Sequence, residues 1–166
     1  MTWTPLIATR ERIALLWQQM EQFPELRALL GMDTEDAFWA VLGARTNLFV
    51  DIGPGLGLGV ALGVEPEGNP SVSFLMFDGH LRGQEDTFHE VLGYFFHLAQ
   101  LRRVTAYTPQ TARVMLKLWW RLGFHWEGVL RKAWRWDGED RDLHVNGLLR
   151  EEVRQAPELG FPLEAA

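Results

Sequence analysis

The sequence contains no cysteine and only two serines. The absence of cysteine excludes disulfide bonds, cysteine nucleophiles and thiolate metal ligands. Serine occurs only at Ser71 and Ser73, outside any G-x-S-x-G turn, which argues strongly against a serine hydrolase. No apolar run approaches the roughly 18–20 residues that a membrane-spanning helix needs. We therefore expect a cytoplasmic protein with no membrane segment.

The charge balance also limits the possible partners. The 166 residues carry a formal net charge of −6, and lysine occurs only at positions 117 and 132. A general nucleic-acid-binding protein usually has a basic face, so nucleic acid is not an expected partner. The length and the apolar fraction of 47% suit one domain with a sizeable core. We place this domain at residues 1–154 and a loosely ordered tail at residues 155–166.

Hydrophobic periodicity predicts a mixed α/β protein. A short strand at residues 3–7 precedes three helical segments, and three strands joined by turns begin at Asn47. The strongest helix follows a strand at residues 71–77 and precedes a strand at "RVTAYT", which predicts a parallel βαβ unit with a right-handed crossover. Another helix is closed by Gly123, and Asp137-Gly138 predicts a hairpin turn near the C-terminus.

This order of elements and two C-terminal motifs resemble the GNAT acetyltransferase superfamily. The first motif is "RLGF" followed by "EGVLR", at residues 121–124 and 127–131. The second lies in "DRDLHVNGLLREE", at residues 140–152. The resemblance is nearest to the branch that acetylates protein N-termini, including those of ribosomal proteins, and small amines. It implies a mostly antiparallel sheet of about six to seven strands, one parallel pair and four or five helices.

The resemblance further implies that acetyl-CoA binds where the parallel strands separate. In such enzymes a Q/R-x-x-G-x-G/A loop holds the pyrophosphate on N–H groups at the start of a helix. The corresponding residues here are His80, Leu81, Arg82, Gly83, Gln84 and Glu85. Registers beginning at Gly79, His80 or Arg82 are all possible, and only the register from His80 keeps one glycine. The loop therefore departs from the pattern of a cofactor-binding loop.

Two acidic residues follow this loop, and they have a structural explanation. Carboxylates in the first turn of a helix interact favourably with its dipole and accept hydrogen bonds from unpaired N–H groups. They would also repel a pyrophosphate. We therefore favour the interpretation that Glu85 or Asp86 takes the place of the ligand at the helix N-terminus. The alternative is that acetyl-CoA still binds.

The catalytic positions are also altered. The resemblance implies a tyrosine acid four residues before Gly123, where this chain has Trp119, and an indole N–H cannot serve as a general acid. Four other side chains are candidate bases for an acceptor amine: Glu127, Asp142, His144 and Tyr107. Each has a structural alternative. We expect Glu127 and Asp142 to pair with Arg131, Arg135 or Arg141, and His144 and Tyr107 to be surface residues of the sheet.

The remaining motifs concern metals and partners. His89-Glu90 begins an H-E-x-x-H pattern, but Gly93 occupies the second histidine position, so no metal site is predicted. "RKAWRW" at residues 131–136 places two tryptophans on one strand face, and five tryptophans fall within residues 119–136. Because Trp and Arg are enriched at protein interfaces, we expect a protein partner or a homo-oligomer through this half of the chain.

Two functions remain open. In one, the protein has weakened or lost acetyl-CoA binding and is a binding or structural component. Degenerate GNAT-like proteins of this kind occur in phage genomes, which would make it a phage assembly protein associated with the virion. In the other, it is an acetyl-CoA-dependent N-acetyltransferase that acts on a protein N-terminus or a small amine. The first has no cofactor, and we lean slightly toward it.

Overall fold

The computed structural model describes residues 3–6, 9–53, 55–65, 68–77 and 83–153. These residues form seven strands, five α-helices and one short 3-10 turn. In chain order the elements are β1 (Trp3–Pro5), α1 (Arg10–Met20), α2 (Pro24–Leu29), α3 (Glu35–Gly43), β2 (Asn47–Ile52), β3 (Gly57–Leu62), β4 (Ser71–Met76), α4 (Glu85–Leu98), β5 (Arg103–Pro109), α5 (Arg113–Arg121), β6 (His125–Trp136), β7 (Glu139–Leu149) and the 3-10 turn (Arg150–Glu152). The order predicted from the sequence is confirmed.

All seven strands form one sheet in the order β1-β2-β3-β4-β5-β7-β6. The pair β4–β5 is parallel and the other pairs are antiparallel. This confirms the βαβ unit, since α4 connects the two parallel strands. β7 lies between β5 and β6, so the last hairpin folds back and places β6 at the edge of the sheet.

Apolar side chains form a core on each side of the sheet. Phe88, Val91, Leu92, Phe95 and Phe96 face the sheet from α4 and are at most 3% exposed. Their spacing is the continuous helical stripe visible in the sequence. A second core lies under α1 and α3, where Leu16 and Phe38 are fully buried. The sheet therefore has one helical layer on each face.

Two tight corners follow directly from glycine chemistry. Gly123 has a φ of 88° after α5, and the N–H of Phe124 donates to the carbonyl of Trp119 at 2.9 Å. This bonding closes the helix as predicted. Asp137 and Gly138 have φ values of 50° and 77° between paired Trp136 and Glu139, which is the two-residue hairpin expected of Asp-Gly.

The structure differs from the sequence-based boundaries at two strands. β1 ends at Pro5, and the predicted end of this strand at Ile7 lies outside the described residues. The pattern "LHVNGLLREE" predicts that the last strand begins at Leu143, whereas β7 begins at Glu139, because its pairing with β6 continues up to the two-residue turn. The predicted tail at residues 155–166 also lies outside the described part. No helix among the described residues is both long and apolar enough to cross a membrane.

Candidate functional site

The parallel strands β4 and β5 separate soon after they pair. Of the described residues on these strands, only Ser71 and Thr105 are paired, and the N–H of Thr105 donates to the carbonyl of Pro70 at 2.9 Å. β4 continues to Met76 and β5 to Pro109, each hydrogen-bonded on its other side. Because backbone groups inside a protein need partners, the edges that face each other beyond Thr105 can bind a ligand that carries amides.

A cavity of about 470 Å³ lies at this divergence. It receives Ser73 and Tyr107 from the sheet face that carries α2, and Thr108 from the opposite face, next to α5. Successive residues of a strand point to opposite faces, so Tyr107 and Thr108 reach the cavity from the two sides of the sheet. The cavity therefore passes between the strands. The described residues that line it are Gln22, Phe23, Pro24, Glu25, Leu26, Leu29, Ser73, Tyr107, Thr108, Pro109, Ala112, Met115, Trp119 and Trp136.

Trp119 forms a rigid part of the cavity wall. It is 1% exposed, and its ring packs against Phe124 with centroids 4.8 Å apart. The indole Nε1–H donates to the hydroxyl of Thr108 at 2.9 Å, so the polar end of the ring is satisfied by the protein. This position corresponds to the acid implied by the resemblance, and it holds a donor that is already committed to a neighbour.

Of the four candidate bases, only Tyr107 lines the cavity. The prediction that Glu127 pairs with Arg131, Arg135 or Arg141 is wrong, because Glu127 forms an ion pair with Arg103. This hydrogen bond is the first cause of a raised pKa at Arg103. The pair lies over Gly147, where an added Cβ would collide with both side chains.

The other two candidates have different surroundings. Asp142 accepts a hydrogen bond from the backbone N–H of Lys132 at 2.8 Å, so the expected pairing of Asp142 with an arginine is also wrong. Lys132 has a φ of 52° within a bulged part of β6, and the Asp142 carboxylate supports this unusual backbone. His144 is half-buried on β7, opposite Thr108 of β5, and is not among the described cavity-lining residues.

Glu25 is a cavity residue that the sequence did not reveal. It lies in the first turn of α2, after Pro24, and its carboxylate is 3.4 Å from Nη1 of Arg141 on β7. Arg141 also lies 3.6 Å from Glu139. More than 80 residues separate Glu25 from Tyr107, and a lone Pro-Glu at a helix start carries no catalytic signature. Only the fold brings them to one cavity.

The first turn of α4 carries the acidic side chain of Glu85. His80, Leu81 and Arg82 lie outside the described residues, whereas Gly83 has a φ of 77° and α4 begins at Glu85. The pKa of the Glu85 carboxyl is lowered, first by its own backbone N–H, and also by the N–H of Gly83 and by Arg121. Burial acts in the opposite direction.

The Arg121 guanidinium lies 3.1 Å from this carboxylate. The Glu85 carboxylate thus has an arginine partner in the first turn of α4, and its role as a cap of the helix N–H groups stays a prediction. Gln84, at the capping position, makes no capping hydrogen bond with its side chain.

The tryptophans of the C-terminal half divide between core and surface. Trp119 is buried, whereas Trp120 is 77% and Trp126 is 64% exposed. Trp134 and Trp136 stack with ring centroids 5.8 Å apart, which confirms that they share one face of β6. A protein partner or homo-oligomer through this region stays a prediction.

Within the described ranges, no group of three or more His, Asp or Glu side chains is placed to hold a metal ion.

Solved structures share this architecture over most of the chain. Spermidine N-acetyltransferase from Vibrio cholerae, solved with CoA and spermine, superposes with a TM-score of 0.74 and 13% identity, covering 91% of this chain and 97% of that one. A protein thought to be an acetyltransferase is 22% identical, with a TM-score of 0.67, over 90% of this chain and 83% of that one. The chain has the GNAT fold. No family model matches the sequence, and neither does any curated protein sequence.

Within the GNAT fold, the cavity at the β4–β5 divergence and the start of α4 correspond to the two ends of the acetyl-CoA site implied by the sequence resemblance. The cavity is open and mostly apolar. The helix start carries the Glu85 carboxylate in its first turn, paired with Arg121, and its backbone N–H groups lower the pKa of that carboxyl. The two ends therefore differ in their suitability for a ligand.

Proposed function

We propose that the protein is an N-acetyltransferase that uses acetyl-CoA and a small amine. The observation that supports this proposal is the cavity of about 470 Å³ between β4 and β5, lined from both faces of the sheet. Protein interiors are close-packed, and a volume of this size left unfilled is typical of a ligand site. Apolar residues such as Leu29 and Met115 line it, and they suit the methyl end of an acetyl group.

The residues fit the two parts of acetyl-CoA unequally. The cavity would hold the thioester end, and the separated strand edges would bind amide groups of the pantetheine arm. Glu85 is poorly suited to a pyrophosphate, since like charges repel at short range. We therefore expect acetyl-CoA to bind weakly, with its affinity derived mainly from the thioester end.

The chemistry assigned to the chain is deprotonation and positioning of the acceptor. Bound acetyl-CoA would supply a thioester carbonyl, and transfer forms a C–N bond to the amine as the C–S bond breaks. Glu25 is the carboxylate among the described lining residues. We assign it the role of the general base that accepts a proton from the ammonium group of the acceptor, directly or through a water molecule. The Tyr107 hydroxyl can donate a proton to the departing thiolate, and Trp119 supports the wall.

An acetyl-CoA titration by calorimetry, paired with an assay for free CoA thiol in the presence of amines, tests this function. We expect binding near or above about 100 µM and amine-dependent thiol release. A flat titration at millimolar ligand, with no thiol released for any amine, would contradict the proposed acetyltransferase activity. Glu25→Gln should reduce release at least tenfold, whereas Glu139→Gln, which changes the other partner of Arg141, should change it little.

The second candidate is a GNAT-fold protein that binds no CoA and serves as a binding or assembly component. The position of Glu85 favours it, because a carboxylate paired with Arg121 in the first turn of α4 places negative charge where a pyrophosphate would bind. Under this alternative, acetyl-CoA should not bind to the wild type, because Glu85 blocks the anion-binding end, and Glu85→Ala should restore binding. Binding restored by Glu85→Ala alone would show that Glu85 is what blocks the site.

A further inference from the structure

The cavity has the composition of a site for an apolar body with one positive charge. Four aromatic rings line it: Phe23, Tyr107, Trp119 and Trp136. Among its described lining residues, Glu25 is the only charged side chain. Aromatic faces favour both apolar groups and a nearby cation. A single carboxylate beside several rings is therefore complementary to an aromatic or alkyl body that carries an ammonium.

Two carboxylates share one guanidinium beside the cavity. Arg141 lies between two carboxylates, with Glu25 at 3.4 Å and Glu139 at 3.6 Å. One guanidinium compensates one of them, which leaves a charge of −1 for the three groups. Glu25 is 43% exposed and Glu139 is 75% exposed, so the charge nearer the cavity is also the less screened.

We propose that the acceptor is a monoamine with a compact apolar or aromatic body. This inference rests on the proposed function and specifies its substrate class. The single ammonium would lie near Glu25, with the body among the rings. A polyamine would place a second ammonium against the apolar part of the lining, where the described residues offer no second carboxylate, and removing that charge from water is unfavourable. The chain would thus differ from its structural neighbour solved with spermine.

Direct binding of amines tests this without acetyl-CoA. The probes are 2-phenylethylamine, its neutral analogue 2-phenylethanol, spermidine, and a short peptide amide that begins with phenylalanine. Binding is followed by tryptophan fluorescence, since Trp119 and Trp136 line the cavity. We expect phenylethylamine to bind at least tenfold more tightly than phenylethanol or spermidine. Spermidine binding as tightly as phenylethylamine, or phenylethanol binding equally, would overturn the proposal.

The peptide distinguishes two sources of the same chemistry. Binding of the peptide as tight as that of phenylethylamine supports an apolar protein N-terminus as the acceptor. Weaker peptide binding supports a free small amine. Either result keeps one ammonium beside an apolar body as the recognised group.

Matched variants locate the site. Glu25→Gln should weaken phenylethylamine binding about tenfold, and Glu139→Gln no more than about twofold, although both remove one partner of Arg141. Trp136→Ala should also weaken it, whereas Trp126→Ala, at a tryptophan outside the described lining, should not. Equal losses for Glu25→Gln and Glu139→Gln, with melting temperatures unchanged, would contradict the assigned role of Glu25.

Failure of this inference is distinguishable from failure of the transferase. Acetylation of spermidine but not of phenylethylamine would overturn the substrate class and leave the transferase intact. Binding of phenylethylamine without any binding of acetyl-CoA would contradict the proposed transferase activity but support the proposed amine site.

Discussion

The cavity at the β4–β5 divergence and the N-terminus of α4 are two ends of one expected ligand site, and they are built in opposite ways. At the cavity, strands separate and side chains from both faces leave about 470 Å³ unfilled. At α4, the carboxylate of Glu85 lies in the first helical turn and pairs with Arg121, and nearby backbone N–H groups lower its pKa. The cavity therefore offers an apolar surface, whereas the start of α4 carries negative charge.

The difference follows from the cost of leaving each kind of site empty. An apolar cavity loses packing contacts but leaves no polar group unsatisfied. The start of a helix presents N–H groups that need acceptors, so a side chain that supplies one stabilises the protein without a ligand. A chain can thus lose its phosphate contacts at little cost while it keeps the open apolar end.

The largest effect should come from the cavity wall. Trp119→Ala should lower the free energy of unfolding by about 3–5 kcal/mol, because it deletes a buried ring and its contact with Thr108. Chemical denaturation measures the change. The neighbouring Trp120→Ala removes a ring that is 77% exposed and should change stability by no more than about 0.5 kcal/mol. Similar losses for both would show that Trp119 is not a structural wall.

An intermediate effect is expected at the helix start. Glu85→Ala should tighten acetyl-CoA binding about tenfold, roughly 1.4 kcal/mol, since it frees N–H groups and removes a repelling charge. Asp86→Ala is the control, because Asp86 lies in the same first turn and the effect assigned to Glu85 depends on its own contacts. Calorimetry compares the two. Equal gains would indicate general charge repulsion and not release of the N–H groups.

The smallest effect is the pH dependence that Glu85 contributes to stability. Its pKa is below the ordinary value of 4.5, so its stabilisation is present above that value and is lost as the pH falls through the lower, folded-state pKa. Because Glu85 is partly exposed, the contribution should be about 1 kcal/mol or less. Denaturation of wild type and Glu85→Gln between about pH 3 and 7 measures it. Parallel curves would contradict this role.

Local patterns were sufficient to predict most of the fold. The apolar stripe of α4, Gly123 after α5 and the turn at Asp137-Gly138 each depend on neighbouring residues and were confirmed. β7 begins at Glu139 and not at Leu143, because its charged first residues pair with β6 although they lack the apolar alternation of a strand.

The site was less predictable, because it depends on contacts between distant residues. Glu127 pairs with Arg103, on a strand two positions away in the sheet, and not with an arginine near it in sequence. Glu25 and Tyr107 line the same cavity because α2 lies beside the strand divergence. The position of Glu85 in the first turn of α4 could be predicted from local sequence, whereas its ion pair with Arg121, 36 residues away, could not.

The contrast between the two ends is tested most directly by comparing the affinities of acetyl-CoA and acetyl-pantetheine, which has the same thioester end without phosphates. Calorimetry on the wild-type protein gives both dissociation constants. We predict values within about tenfold of each other, because the thioester end provides most of the binding. Acetyl-CoA binding more than about 100-fold tighter would show that the phosphates are recognised and would contradict the occupied helix start.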